Sequence, residues 1–264
     1  MPSANALRLQ IEHALERRFP AALSPSPRAV LETAATGIPA IDELLSGGLP
    51  VGAISEITGP ECSGRTSLVL AFLARRTHDG HVCAWIDTGD AFDPESAAAN
   101  GIHLRQLLWV RCRSDAPPTT KKPWTRLDQG IRATDLLLQA GGFSAIVLDL
   151  GGAAPEHARR IPLATWFRFR QAAQRTRCSL VVLGQAACAQ SSADTVLECS
   201  AARAVTLGET VLSGFTCEVR RERGAAAKAV RSVSGMRKPP VSTWSASGAW
   251  DAQRDLDRDG RRSA

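Results

Sequence analysis

The chain has 264 residues, 44% hydrophobic and 22% charged, as expected of one α/β domain with extensions and a substantial core. No apolar run approaches membrane-spanning length and no signal peptide opens the chain, so a cytoplasmic protein without a membrane anchor is expected. The net charge of +6 gathers in one stretch, where Arg220, Arg221, Arg223, Lys228, Arg231, Arg237 and Lys238 face Glu222 alone, a pattern that permits nucleic-acid contact.

The seven cysteines form no C-x-x-C pair and fall mostly within apolar runs, so they read as reduced, buried thiols. The five histidines form no ligand cluster.

Leu7, Ile11, Leu15 and Phe19 place one apolar stripe on a helix stopped by Pro20. The stripe buries either on the chain's own core or on another surface. Pro25 and Pro27 punctuate the segment that follows. Residues 53–58 read as a short apolar strand, residues 59–64 as a glycine-bounded loop, and a helix begins near Arg65. Strands are then expected at 82–87, 107–110, 145–149 and 180–183, alternating with helices at 94–100, 127–140 and 162–176. Residues 113–124 read as a solvated connection. Strands at 195–207 and 211–221 finish the sheet. From Gly224 the periodicity is lost, and after Trp250 the chain reads as a charged tail. The expected organisation is an N-terminal helix and linker over 1–35, a core over 36–223, and a basic, largely disordered tail over 224–264.

The loop and its flanks carry the chemistry. Gly59, Pro60, Glu61, Cys62, Ser63, Gly64, Arg65, Thr66 and Ser67 match the phosphate-loop pattern G-x-x-x-x-G-K-[ST], with arginine where lysine is usual. The two glycines let successive N–H groups turn inward onto an anion, the helix start adds its positive dipole end, and the Thr66 hydroxyl can hold Mg²⁺. Asp149 follows four apolar residues at a strand's carboxyl end, which in an open parallel sheet lies beside such a loop. It is either a magnesium-holding carboxylate or a turn former. Trp166, Phe167 and Phe169 suggest a base-stacking platform, but on a helix this spacing reads as core, with Arg168 and Arg170 reaching outward.

Thr36-Gly37-Ile38-Pro39-Ala40-Ile41-Asp42, Gly47 to Gly52, Glu56-Ile57, the loop itself, and Ala84 to Pro94 together resemble the start of the RecA recombinase core. The resemblance covers roughly residues 7–235. It implies a RecA-like P-loop NTPase core, a mostly parallel central sheet flanked by helices, with ATP and Mg²⁺ as cofactors. It implies that Gln185, otherwise a polar residue at a strand's edge, senses the γ-phosphate, and that Asp93 lies on the nucleotide side of its turn. It implies two DNA-facing loops, 151–161 with Arg159 and Arg160, and 186–192. It also gives the N-terminal stripe a second partner, a neighbouring subunit.

The departures matter most. Arg65 keeps the lysine's charge but not its compact shape. The glutamate that polarises the attacking water falls at Gly89; the neighbouring Asp90 is shorter and points the other way along the strand end. Ser96 stands where the base-stacking tyrosine would be, and the chain has no tyrosine at all. The second DNA loop is short and alanine-rich. With these losses and no RecA-type C-terminal domain, the chain is most similar to the ImuA family of translesion mutagenesis accessory proteins. That resemblance implies a scaffold that binds DNA, RecA or a Y-family polymerase-like partner, with weak or no ATP hydrolysis. The alternative is a divergent recombinase with DNA-dependent ATPase and strand-exchange activity. Arg231, Arg237 and Lys238, with Arg159 and Arg160, are the candidate DNA contacts.

Overall fold

The protein is described from a computed structural model covering residues 32–113, 125–207, 211–224 and 241–246. The N-terminal stripe of residues 7–19 and the cations Lys228, Arg231, Arg237 and Lys238 lie outside the described residues.

Two short strands, β1 (Thr33–Ala34) and β2 (Leu49–Pro50), pair antiparallel around helix α1 (Pro39–Leu45). Asp42 on that helix accepts hydrogen bonds from the Thr36 amide and hydroxyl, at 2.7 and 2.8 Å, and so fixes the turn entering the helix. Strand β3 (Ile54–Thr58) leads into helix α2 (Arg65–His78), and β4 (Cys83–Asp87) into the short helix α3 (Pro94–Ala99). Then come β5 (Leu107–Arg111), α4 (Arg126–Ala140), β6 (Ala145–Asp149), α5 (Pro155–Arg159), α6 (Leu163–Thr176) and β7 (Ser179–Gly184). Strands β8 (Thr195–Cys199), β9 (Arg203–Leu207), β10 (Val211–Arg223) and β11 (Val241–Ala246) close the sheet.

Among the described residues the main sheet has nine strands, ordered β11-β10-β8-β3-β7-β6-β4-β5, with β9 on the first half of β10. The six from β8 to β5 run parallel; β10 pairs antiparallel with β8, β9 and β11. The parallel strands β3, β4 and β6 are buried at every position, as a sheet covered on both faces requires. Their side chains alternate between two cores. Ile57, Trp85 and Val147 join Leu68, Val69, Phe72 and Leu73 of α2 on one face. Ile54, Ile86, Ile146 and Leu148 join Leu138 of α4 and Trp166 and Phe169 of α6 on the other.

Trp166 and Phe169 are fully buried and meet edge-on at 5.9 Å, so they are core residues, while Phe167 is exposed. Truncating either buried aromatic to Ala would cost roughly 3–5 kcal/mol. The neighbouring arginines do more than reach outward: Arg168 pairs with Asp135 of α4 at 2.9 Å and Arg170 with Asp194 at 3.2 Å.

Three local expectations change. Residues 195–207 form two strands, because the chain turns at 200–202 and the Ala202 amide donates to the Cys62 carbonyl at 3.1 Å. Residues 155–159, inside the first expected DNA loop, are helical. Val241–Ala246, inside the segment expected as a tail, adds a strand, with Val241 opposite Arg220.

Candidate functional site

Register places the polar strand ends on one rim. Thr58 lies opposite Gly184 on one side and Glu198 on the other; Asp149 lies opposite Leu183; Asp87 lies opposite Asp149 and Arg111. The glycine-bounded loop rises from this rim at the end of β3, between β7 and β8, with β6 and then β4 following beyond β7.

Gly59 and Gly64 adopt φ of 156° and 81°, and Cys62 adopts 57°, so the loop curls through left-handed backbone. A Cβ on Gly59 would stand 2.4 Å from the Cys199 carbonyl, which only glycine avoids. Helix α2 has no side-chain cap, and Thr66 and Ser67 in its first turn are exposed. Its leading N–H groups therefore face outward, as anion-binding helix starts do. Two donors at the loop, the Ser63 hydroxyl and the Arg65 Nε–H, are buried without a hydrogen-bond partner. The donor set suits a phosphate-bearing group. Cys62 is an exception among the cysteines: its thiol is exposed, while the other six are buried.

Arg65 is buried and its Nη1 donates back to the Gly59 carbonyl. Its guanidinium fills the gap between the loop and the end of β6, where a Cβ on Gly151 would lie 3.1 Å from Nη2. Asp149 is buried there, its Oδ1 accepting from the Gly151 amide at 2.8 Å. Burial pushes the Asp149 carboxyl up to about 6, against the lowering effect of that amide bond; the Asp87 charge raises it further and Arg65 lowers it. A carboxylate so placed, with the Thr66 hydroxyl across the loop, provides oxygen donors of the kind Mg²⁺ takes beside phosphates.

Asp87, not foreseen from the sequence as a site residue, organises the turn after β4. It is fully buried and accepts from the amides of Gly89 and Ala91, each at 3.1 Å, and of Phe92 at 3.0 Å. Thr88 ties this turn to β6 by donating its hydroxyl to the Asp149 carbonyl at 2.5 Å. Gly89 presents no side chain to the rim. Asp90 makes a two-bond pair with Arg111, through Nε and through Nη2 at 2.8 Å, which holds its carboxyl below the usual carboxylate range. It is committed to the edge strand. Asp93 caps α3, accepting from the Glu95 and Ser96 amides at 3.2 and 3.0 Å and from the Ser96 hydroxyl.

Gln185 follows β7 and donates from Nε2 to the Gly151 carbonyl at 3.1 Å, joining the two expected DNA loops. Arg159 and Arg160 are exposed at the end of α5; burial and then the Glu56 charge push the Cys188 thiol of the second loop up, and Arg159 opposes that shift. The basic stretch is less free than its composition suggests. Arg220 pairs with Glu198 and Glu222, Arg221 donates to the Leu44 carbonyl at 2.8 Å, and Arg223 donates to the Gln190 carbonyl. The loop, Asp149 and Gln185 thus gather on one rim, with Asp93 on the turn beyond β4 and Arg159 and Arg160 at the end of α5. Among the described residues no cluster of His, Cys, Asp and Glu could hold a metal by itself, and no helix is long and apolar enough to cross a membrane.

Residues 5–156, more than half of the chain, match the RecA N-terminal domain. Protein RecA of Colwellia psychrerythraea is 37% identical over 120 residues, covering 45% of this chain and 31% of that protein. Protein RecA of Rickettsia canadensis is 33% identical over 141 residues, covering 53% and 38%. The chain therefore spans less than half the length of these relatives. The crystal structure of the RadB recombinase shares the fold, with a TM-score of 0.52, 17% identity, and coverage of 73% of this chain and 90% of that one.

Proposed function

The chain belongs to the RecA N-terminal domain family, and from that premise we propose that it is a cytoplasmic accessory protein of SOS-induced translesion DNA synthesis, similar to the ImuA family. On this reading it holds ATP with Mg²⁺ at the 59–67 loop, hydrolyses it weakly or not at all, and acts as a scaffold for DNA, RecA and a Y-family polymerase-like partner.

The observation that carries the reading is Gly89. The position from which a carboxylate would orient the attacking water has no side chain, and Asp90 beside it is held by Arg111. General-base assistance is typically worth about 10²–10⁴-fold in rate. Binding needs no such group. The Gly59–Thr66 backbone cradles the phosphates, Arg65 supplies fixed positive charge under them, and Thr66 and Asp149 hold Mg²⁺. Gln185 reads the phosphate end and relays it to the 151–161 loop through Gly151. Asp93 lies toward the nucleoside side. A bound magnesium nucleotide supplies the transferable phosphoryl group and the divalent charge that offsets it. Arg159, Arg160, Arg231, Arg237 and Lys238 carry sequence-independent DNA contact.

The second reading, a recombinase with DNA-dependent ATPase and strand exchange, is favoured by the contact between Gln185 and Gly151 and by the place of Asp149 on the rim. Measuring phosphate release with and without single-stranded DNA separates the two. The scaffold reading expects ATP binding with turnover near background. Brisk, DNA-stimulated release that is lost in Asp149→Ala moves the chain to the recombinases. Deletion of residues 1–20 addresses partners: loss of RecA capture, or a smaller assembly by light scattering, supports docking through the 7–19 stripe. Unfolding of the truncated chain returns the stripe to its own core.

A further inference from the structure

Glu56 lies two residues before the end of β3 and is 1% exposed. Its Oε1 accepts two amides of the second loop, Cys188 at 2.6 Å and Ala189 at 2.9 Å. Its Oε2 is buried and has no hydrogen-bond partner. Glu56 lines a cleft of about 480 Å³ bounded by Gln185, Ala187, Glu198, Arg220 and Glu222. The cleft is roomy enough for a long side chain, and a buried carboxylate oxygen without a donor is costly.

Neither arginine of the cleft satisfies Glu56. Arg220 is committed to Glu198 and Glu222, and Arg223 to the Gln190 and Ala193 carbonyls. The lining therefore holds three carboxylates against two guanidiniums, with Glu198 and Glu222 sharing Arg220 and Glu56 left without a cation, an excess of negative charge that disfavours phosphate and favours a cation. Among the described residues no aromatic side chain lines the cleft, so they offer a stacked base no platform there. Among the described residues no group of ligands suits a metal ion.

We propose that this cleft is a receptor for a guanidinium or primary ammonium group bound at Glu56 Oε2, carried by a basic protein segment. Because the other oxygen of the same carboxylate holds Cys188 and Ala189, occupancy stiffens the second loop. The cleft borders the nucleotide loop, sharing Thr58 and Gln185 with that rim, but the cation contact at Glu56 needs no nucleotide.

The test uses the full chain without nucleotide and three probes: a short glycine–arginine peptide, its citrulline counterpart, and spermidine. Binding is read by titration, and loop order by amide hydrogen exchange of residues 186–192. The arginine peptide is expected to bind and to slow exchange, and citrulline to do neither. A response to the arginine peptide without one to spermidine assigns a protein side chain as the source. A response to spermidine alone keeps the cation site and overturns the protein segment. Glu56→Gln retains an oxygen for the two loop amides and removes the charge, and should weaken binding at least about tenfold. Ala187→Arg, at an exposed position, fills the cleft with a tethered cation and should abolish binding even if Glu56→Gln misfolds. Asp149→Asn should leave it unchanged. Equal binding of arginine and citrulline peptides, or undiminished binding by Ala187→Arg, overturns the proposal.

Discussion

A Cβ built on Gly89 would meet the Gly152 Cα at 3.6 Å, while one on Gly152 would stand 3.1 Å from the Gly89 Cα. The turns after β4 and β6 therefore touch through two glycines, at the position that the proposed function assigns to a missing water-orienting carboxylate. The contact is asymmetric. A side chain fits at 89 in ordinary van der Waals contact, whereas one at 152 forces the turns apart. Gly89→Glu should fold and bind nucleotide as the parent does, and raise DNA-stimulated phosphate release by about 10–100-fold, part of the usual general-base contribution. A variant that binds normally and turns over no faster would show that Gly89 is not what limits hydrolysis.

Gly151 tests how the arginine is accommodated. A Cβ there would lie 3.0 Å from Asp149 Oδ1 and 3.1 Å from Arg65 Nη2. Gly151→Ala should weaken nucleotide binding by displacing the guanidinium, while changing stability by no more than about 1.5 kcal/mol, since the far end of an arginine can shift. In an Arg65→Lys background the penalty should shrink, giving a coupling of at least about 0.5 kcal/mol in a double-mutant cycle. Additive effects would mean that Arg65 and Gly151 do not share the space.

Much of this arrangement was legible beforehand because it depends on period and punctuation. Residues 145–149 read as a buried strand ending in a carboxylate, and the structure has that strand with Asp149 on the rim. Other features depend on contacts between residues far apart in sequence. Asp87 ends an apolar run as Asp149 does, and that parallel was available; its capture of three amides was not. The pair between Arg111 of β5 and Asp90 of the turn after β4 joins distant residues, as does that between Arg220 and Glu198 on neighbouring strands, and because of the second a cation count overstated the free charge of the 220–238 stretch. The break at 200–202 follows from the loop's need for a partner at Cys62, which strand propensity does not encode.

With Arg220 paired to two carboxylates, fewer cations of the stretch are left for DNA. The fall of log K with log salt measures how many phosphates the protein neutralises. Replacing Arg231, Arg237 and Lys238 by Ala should flatten the slope by roughly 2–3, about one per lost contact. Arg220→Ala should change it little, because that guanidinium is already paired with two carboxylates. An unaltered slope in the triple variant would move the contact to Arg159 and Arg160, and their joint replacement would then produce the flattening.

Without nucleotide or metal, Asp149 gives the fold's own stability a pH dependence. In the folded chain its carboxyl keeps a proton up to about pH 6, against an ordinary value of 3.8. The native state thus binds more protons than the unfolded state between those values, and stability falls as the pH rises through that window. Above it, the ionised buried carboxylate costs on the order of 2–3 kcal/mol. Asp149→Asn keeps an oxygen for the Gly151 amide and carries no charge. At pH 7.5 it should therefore melt higher than the parent, by roughly 5–10 °C, and the difference should vanish below about pH 4. The same substitution should weaken magnesium-dependent nucleotide binding. Stability gained together with binding lost is what a carboxylate kept for a cation would produce. A variant less stable than the parent at every pH would show that Asp149 serves the fold.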